Sequence, residues 1–158
     1  MTIFALRAVV VALVVSVSGA VLAQETSALR ALTMYGPDVQ WEAASELTGD
    51  IDCDGRPDQA LLGRRDGRVW VGVVVSSKSR PEILTFAVGG AGIQDMICAE
   101  PAVLRIESLD YDPKKAAGRI DGFRRSKRCK GLRLSGGDCD SIHFFWNHRT
   151  GELDWWRR

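Results

Sequence analysis

Histidine is scarce in this 158-residue chain, with only His143 and His148 present, and the familiar catalytic signatures are missing with it. There is no His-Glu-x-x-His, no Gly-x-Ser-x-Gly elbow, no phosphate-binding loop and no dinucleotide fingerprint, since Gly89-Gly90-Ala91-Gly92 lacks the required spacing. No two of the four cysteines form a Cys-x-x-Cys, which argues against a zinc site. No period of 20–50 residues repeats, so solenoid and multi-blade architectures find no support. Beyond residue 23 no apolar run approaches the roughly 20 residues that cross a bilayer.

What is present begins with an export pattern. Arg7 precedes the apolar run Ala8 to Val15 and a small-residue end, Ser16 to Ala23, with Val21 and Ala23 placed for cleavage before Gln24. Residues 1–23 are therefore expected to be a signal peptide and 24–158 a single β-rich domain, periplasmic or secreted, with no membrane span in the mature form. Cys53, Cys98, Cys129 and Cys139 all lie in the mature part, and an even number in an exported chain reads as disulfides. Of the three pairings, Cys53 with Cys98 and Cys129 with Cys139 is favoured. The latter pair closes a short Gly-rich loop, and the former ties an acidic loop to a distant segment.

Charge is balanced in total, at a formal +1, but segregated along the chain. Residues 24–112 carry 15 acidic and 8 basic side chains, and residues 113–158 carry 5 acidic and 12 basic. The basic group includes Lys114, Lys115, Arg119, Arg124, Arg125, Lys127, Arg128, Lys130 and Arg133. Such a cluster suits an anionic envelope surface or an acidic protein, or is simply a solvated loop. Nucleic acid is not expected, because only Phe123 interrupts the cluster to stack on bases.

Residues 24–46 predict one or two short helices broken at Gly36-Pro37, with Leu29, Leu32 and Tyr35 at helical spacing. The remainder reads as strands. Asp66-Gly67 is a two-residue hairpin signal between Asp58–Leu62 and Arg68–Val75, and the latter is apolar on both faces, as a central strand is. Ile83–Val88, Ala102–Glu107 and Gly131–Leu134 are further strands. In the last hairpin, pairing Asn147 with Glu152 puts Ile142, Phe144, Trp146, Leu153 and Trp155 on one face and His143, Phe145, Asp154 and Trp156 on the other. The fold class is thus mainly β, an antiparallel sheet domain with one or two short N-terminal helices.

The most specific string is Gly49-Asp50-Ile51-Asp52-Cys53-Asp54-Gly55-Arg56-Pro57-Asp58. Carboxylates at alternate positions around a turning glycine offer the oxygens a hard cation needs, with Asp50, Asp52, Asp54 and Asp58 as side-chain ligands and the Arg56 carbonyl as a fifth. Leu61 stands where an EF-hand would carry its bidentate glutamate, so the loop is not of that type. With Ala60, Gly63 and the valine-rich strand that follows, it resembles the FG-GAP or VCBS repeat, in which calcium loops join strands of propeller blades. The likeness implies a propeller-blade-like hairpin around one calcium site. Cys53 replaces the glycine usual in that family.

Binding is better supported than catalysis. His143 reads as a structural strand histidine and His148 as a turn residue, while the most visible carboxylates are those of the loop. Trp156 and His143 come together in the proposed register and, with Arg124, Arg125, Lys127 and Arg128, are the candidate partner-binding residues. The expectation is a non-catalytic, calcium-stabilised periplasmic binding protein whose partner is another protein, as for inhibitors or immunity proteins of cell-wall-acting enzymes. A module that binds peptidoglycan or an anionic envelope surface is the second reading, and a hydrolase the third.

Overall fold

The computed structural model describes residues 26–89 and 94–158; the expected signal peptide and Gly90 to Gly92 lie outside them. Helix α1 (Ser27–Tyr35) starts where the Thr26 hydroxyl accepts the Leu29 N–H at 3.2 Å, a cap for an otherwise unpaired donor, and it stops at Gly36. Ala28 and Leu32 are its buried residues, one turn apart, whereas Tyr35 at the end of the helix is exposed.

Ten strands follow: β1 (Gln40–Trp41), β2 (Leu47–Gly49), β3 (Asp58–Arg65), β4 (Arg68–Val74), β5 (Glu82–Val88), β6 (Met96–Ile97), β7 (Val103–Leu109), β8 (Ser126–Ser135), β9 (Ile142–Asn147) and β10 (Glu152–Trp156). A short helix, α2 (Lys114–Ala117), lies between β7 and β8. The first sheet runs β1-β3-β4-β5-β6, with β2 also pairing β3; it is antiparallel except for the β5–β6 pair. The second is antiparallel in the order β10-β9-β8-β7.

The two sheets face one another across a single core. Ala60, Leu62, Val69, Val71, Val73 and Phe86 from the first meet Leu104, Leu132, Leu134, Ile142, Phe144 and Leu153 from the second. Phe86 sits edge-on to Phe144 at 5.5 Å and to Trp155 at 5.8 Å, an arrangement favoured by the ring quadrupoles. The expected two-faced strand is β4. Val69, Val71 and Val73 enter this core, and Gly72 on its other side lets Leu32 of α1 and Trp41 close over the sheet. Asp66 and Gly67 both have positive φ, 51° and 67°, as the tight β3–β4 turn demands.

Within residues 26–46 the expected one or two helices are the single α1, followed by the short strand β1 and a 3-10 turn (Ala43–Ser45). A correction concerns β8, which begins at Ser126 and not at Gly131, so Lys127, Arg128 and Lys130 belong to a strand instead of a basic loop. A register shift between Ser108 and Leu109 lets β7 keep pairing with this longer β8.

The disulfides also differ from the favoured pairing. They join Cys53 to Cys129, with Cα atoms 5.1 Å apart, and Cys98 to Cys139, at 5.7 Å. The stretch from Cys129 to Cys139 is mostly extended β8, and an extended strand covers about 20 Å from Cys129 to Ser135. A local bridge is therefore out of reach. Both bonds instead tie the first sheet's connections to the second sheet, one near each end of β8.

Candidate metal loop and the outer face of the second sheet

The acidic loop connects β2 to β3, which pair antiparallel with Gly49 opposite Asp58. Ile51 is fully buried in the main core, and the Asp50 carbonyl accepts the Lys130 N–H of β8 at 2.8 Å. Both sheets thus anchor the loop.

Asp58 is the hub. Its Oδ2 accepts the N–H groups of Ile51 at 2.7 Å and Asp52 at 3.1 Å, and its Oδ1 accepts that of Ser76 at 2.9 Å. Burial pushes the Asp58 carboxyl above the ordinary range, the three N–H donors act in the opposite direction, and the neighbouring Asp52 charge adds to the upward push. Asp52 accepts the Asp54 N–H at 3.0 Å and the Ser77 hydroxyl. Asp50 places Oδ1 in a buried position with no hydrogen-bond partner among the described residues. Ligand atoms of Asp50, Asp52 and Asp58 all lie within 4.8 Å of one another. Three oxygens so close repel unless a cation or a proton intervenes, and an orphaned buried oxygen calls for a partner. This acidic triad could hold a metal ion, and its all-oxygen donor set fits a hard one.

Asp54 stands outside the triad. Its carboxylate accepts the Arg56 N–H at 2.8 Å, binds the Arg56 guanidinium at 2.8 and 2.9 Å, and accepts the Ser76 hydroxyl at 2.8 Å. The Arg56 N–H and the Ser76 hydroxyl, in that order, hold its carboxyl below the usual range. Cys53 and Gly55 turn the loop with φ of 69° and 87°. The hydroxyls of Ser76 and Ser77 were not foreseen. They follow β4 in a turn of ordinary composition, and only the fold brings them beneath the loop.

The second candidate area is the outer face of the four-stranded sheet. There His143 and Trp156 stack with ring centroids 4.3 Å apart, at the paired positions expected of the last hairpin. His143 Nδ1 lies 3.0 and 3.1 Å from the two Glu107 oxygens, and the Tyr111 hydroxyl donates to Glu107 at 3.4 Å. Burial pushes the Tyr111 phenol far up, with the Glu107 charge adding to it. Leu109, Cys129 and Phe145 form a small core here, covered by Tyr111, Ile120, Phe123 and Trp156. Trp156 is accordingly half-buried.

The basic candidates disperse. Arg125 pairs with Asp110 at 2.7 Å, while Arg124, Lys127 and Arg128 are exposed. His148, in the β9–β10 turn, has its imidazole pushed down by burial and by the Arg124 charge. The Glu107–His143 pair resembles the orienting half of a nucleophile-activating triad, but no hydroxyl or thiol hydrogen-bonds to the imidazole among the described residues. No known protein family, curated protein or solved structure matches this chain.

Proposed function

We propose that this chain is an exported, non-catalytic binding protein whose scaffold is completed by one calcium ion held in the β2–β3 loop. The observation that carries the reading is the convergence of Asp50, Asp52 and Asp58, with the Asp50 oxygen buried and unpartnered. In this reading the three carboxylates and the Arg56 carbonyl bind the ion directly, and Asp54 frames the loop through Arg56 and Ser76. Calcium is preferred to magnesium because its flexible, high coordination tolerates a loop whose other bonds are already fixed. The FG-GAP or VCBS likeness supports the same choice, and Cys53 keeps a left-handed backbone where that family has glycine.

Two disulfides support export, since such bonds persist in oxidising compartments. No helix among the described residues is long and apolar enough to cross a membrane. The partner is proposed to be a periplasmic protein, such as a cell-wall-acting enzyme that this domain inhibits. Recognition of an envelope glycan is the second reading, favoured by the cleft beside Trp156, whose lining includes Glu107, Arg133, Asp140 and Ser141.

The test is thermal melting of the intact protein in chelator and then in millimolar calcium, followed by capture of periplasmic proteins by the calcium-loaded form. A melting temperature that falls in chelator and recovers with calcium supports the scaffold. Identical melting in both removes the metal from the proposal.

A further inference from the structure

Across the outer face of the second sheet one row of paired positions reads Arg105, Arg133, His143, Trp156, one residue from each strand. Paired positions share a face, and like charges directly opposite destabilise a strand pair. Neither Arg105 nor Arg133 forms an ion pair among the described residues. Carboxylates are nevertheless close at hand. Glu107 lies one row along on the same face, but it is engaged through both oxygens with His143 Nδ1. That bond sets the imidazole so that Nε2 is left without a partner among the described residues.

Three residues of the row, Arg133, His143 and Trp156, line an open cleft of about 550 Å³ together with Glu107, Asp140, Ser141 and Arg158, among others. The two signs of charge in it restrict what can enter. A phosphate dianion meets Glu107 and Asp140 as well as the arginines, whereas a single planar carboxylate matches a guanidinium fork. The carboxylates and the Ser141 hydroxyl suit a ligand rich in hydroxyl groups, and a volume of this size admits a sugar ring.

We propose that this cleft binds an acidic sugar, its carboxylate on Arg133 and its hydroxyls toward Glu107, Asp140 and Ser141. The inference rests on the glycan reading and is independent of the metal loop, so the two fail separately. Neither Arg124 nor Lys127 enters it.

The experiment is a titration of the calcium-supplemented full chain with glucuronate, glucose and inorganic phosphate, following the ring signals of His143 and Trp156 by NMR, with His148 as internal reference. Glucuronate is expected to shift the His143 and Trp156 signals, with a dissociation constant on the order of 1 mM, the weak range typical of one small ligand. Glucose is expected to bind at least about tenfold more weakly, having lost the charge-assisted bonds. The variant R133Q removes one of two facing like charges and should fold at least as well; its glucuronate affinity is expected to drop about tenfold or more. Equal responses to glucuronate and glucose would overturn the assignment, as would phosphate binding as tightly as glucuronate, or R133Q binding as the parent does.

Discussion

Cys53 carries a left-handed backbone at φ 69° and is bonded to Cys129 on β8, so the acidic loop is fixed to the second sheet at a strained residue. A side chain with a Cβ at such a φ costs about 1–2 kcal/mol relative to glycine. The disulfide justifies it. Closing a sequence separation of 76 residues removes denatured-state entropy equivalent to about 4 kcal/mol in the loop-closure account. The bond thereby tethers the acidic loop to β8.

Opening the bond separates those two effects. The double variant Cys53→Ala with Cys129→Ala should lose about 4 kcal/mol of stability in urea unfolding, and Cys53→Gly with Cys129→Ala should recover about 1 kcal/mol of it. If the alanine and glycine versions unfold at the same urea concentration, the left-handed strain at position 53 is not real.

Within the loop, the carboxylates should divide into two groups. Asp58→Asn and Asp50→Asn should abolish the calcium-dependent rise in melting temperature, because each removes a charge from the convergent triad. Asp54→Asn should keep most of the rise, because its carboxylate faces Arg56 and Ser76. Differential scanning calorimetry with and without calcium distinguishes them. Loss of the calcium response in Asp54→Asn alone would move the ion to the outer side of the loop.

How far the sequence reveals this depends on how local the determining signal is. Asp66-Gly67 and the four residues His148 to Gly151 set their hairpins within a few positions, so the registers of β3 with β4 and of β9 with β10 were readable, as was the placement of His143 beside Trp156. In the second turn Asn147 adds a local reason, its carboxamide oxygen accepting the N–H groups of Arg149 and Thr150. The disulfides were not readable, because their partners meet only after the two sheets pack. Nor was the start of β8, where Ser126-Lys127-Arg128 has the composition of a loop and becomes strand by pairing with β7 across a bulge. For the loop, alternating aspartates were visible, but Ser76 and Ser77 reach it from the far end of β4.

The close cover of α1 over the first sheet makes Gly72 intolerant of any side chain. A Cβ there would lie 2.8 Å from Leu32 Cδ1 and 2.8 Å from Trp41 Cη2. Leu32 is fully buried and has nowhere to retreat. Gly72→Ala should therefore cost about 1–3 kcal/mol, the usual penalty for overpacking, read as a lowered denaturation midpoint. A neutral or stabilising effect would show that α1 does not rest on β4.

Trp156 contributes to stability and borders the cleft, and two substitutions can tell these roles apart. Its indole stacks on His143 and helps cover Phe145, so Trp156→Ala should destabilise the domain by about 1–3 kcal/mol, less than a fully buried tryptophan would. It should also release the His143 ring, while Glu107 continues to hold Nδ1. Trp156→Phe keeps an aromatic face for the imidazole and should recover most of the stability. If Trp156→Phe is as unstable as Trp156→Ala, the contribution lies in the indole's size and its tilted packing on Tyr111, and not in the stack with His143. Urea midpoints of the three proteins, measured in calcium so that the loop is held constant, decide between these origins.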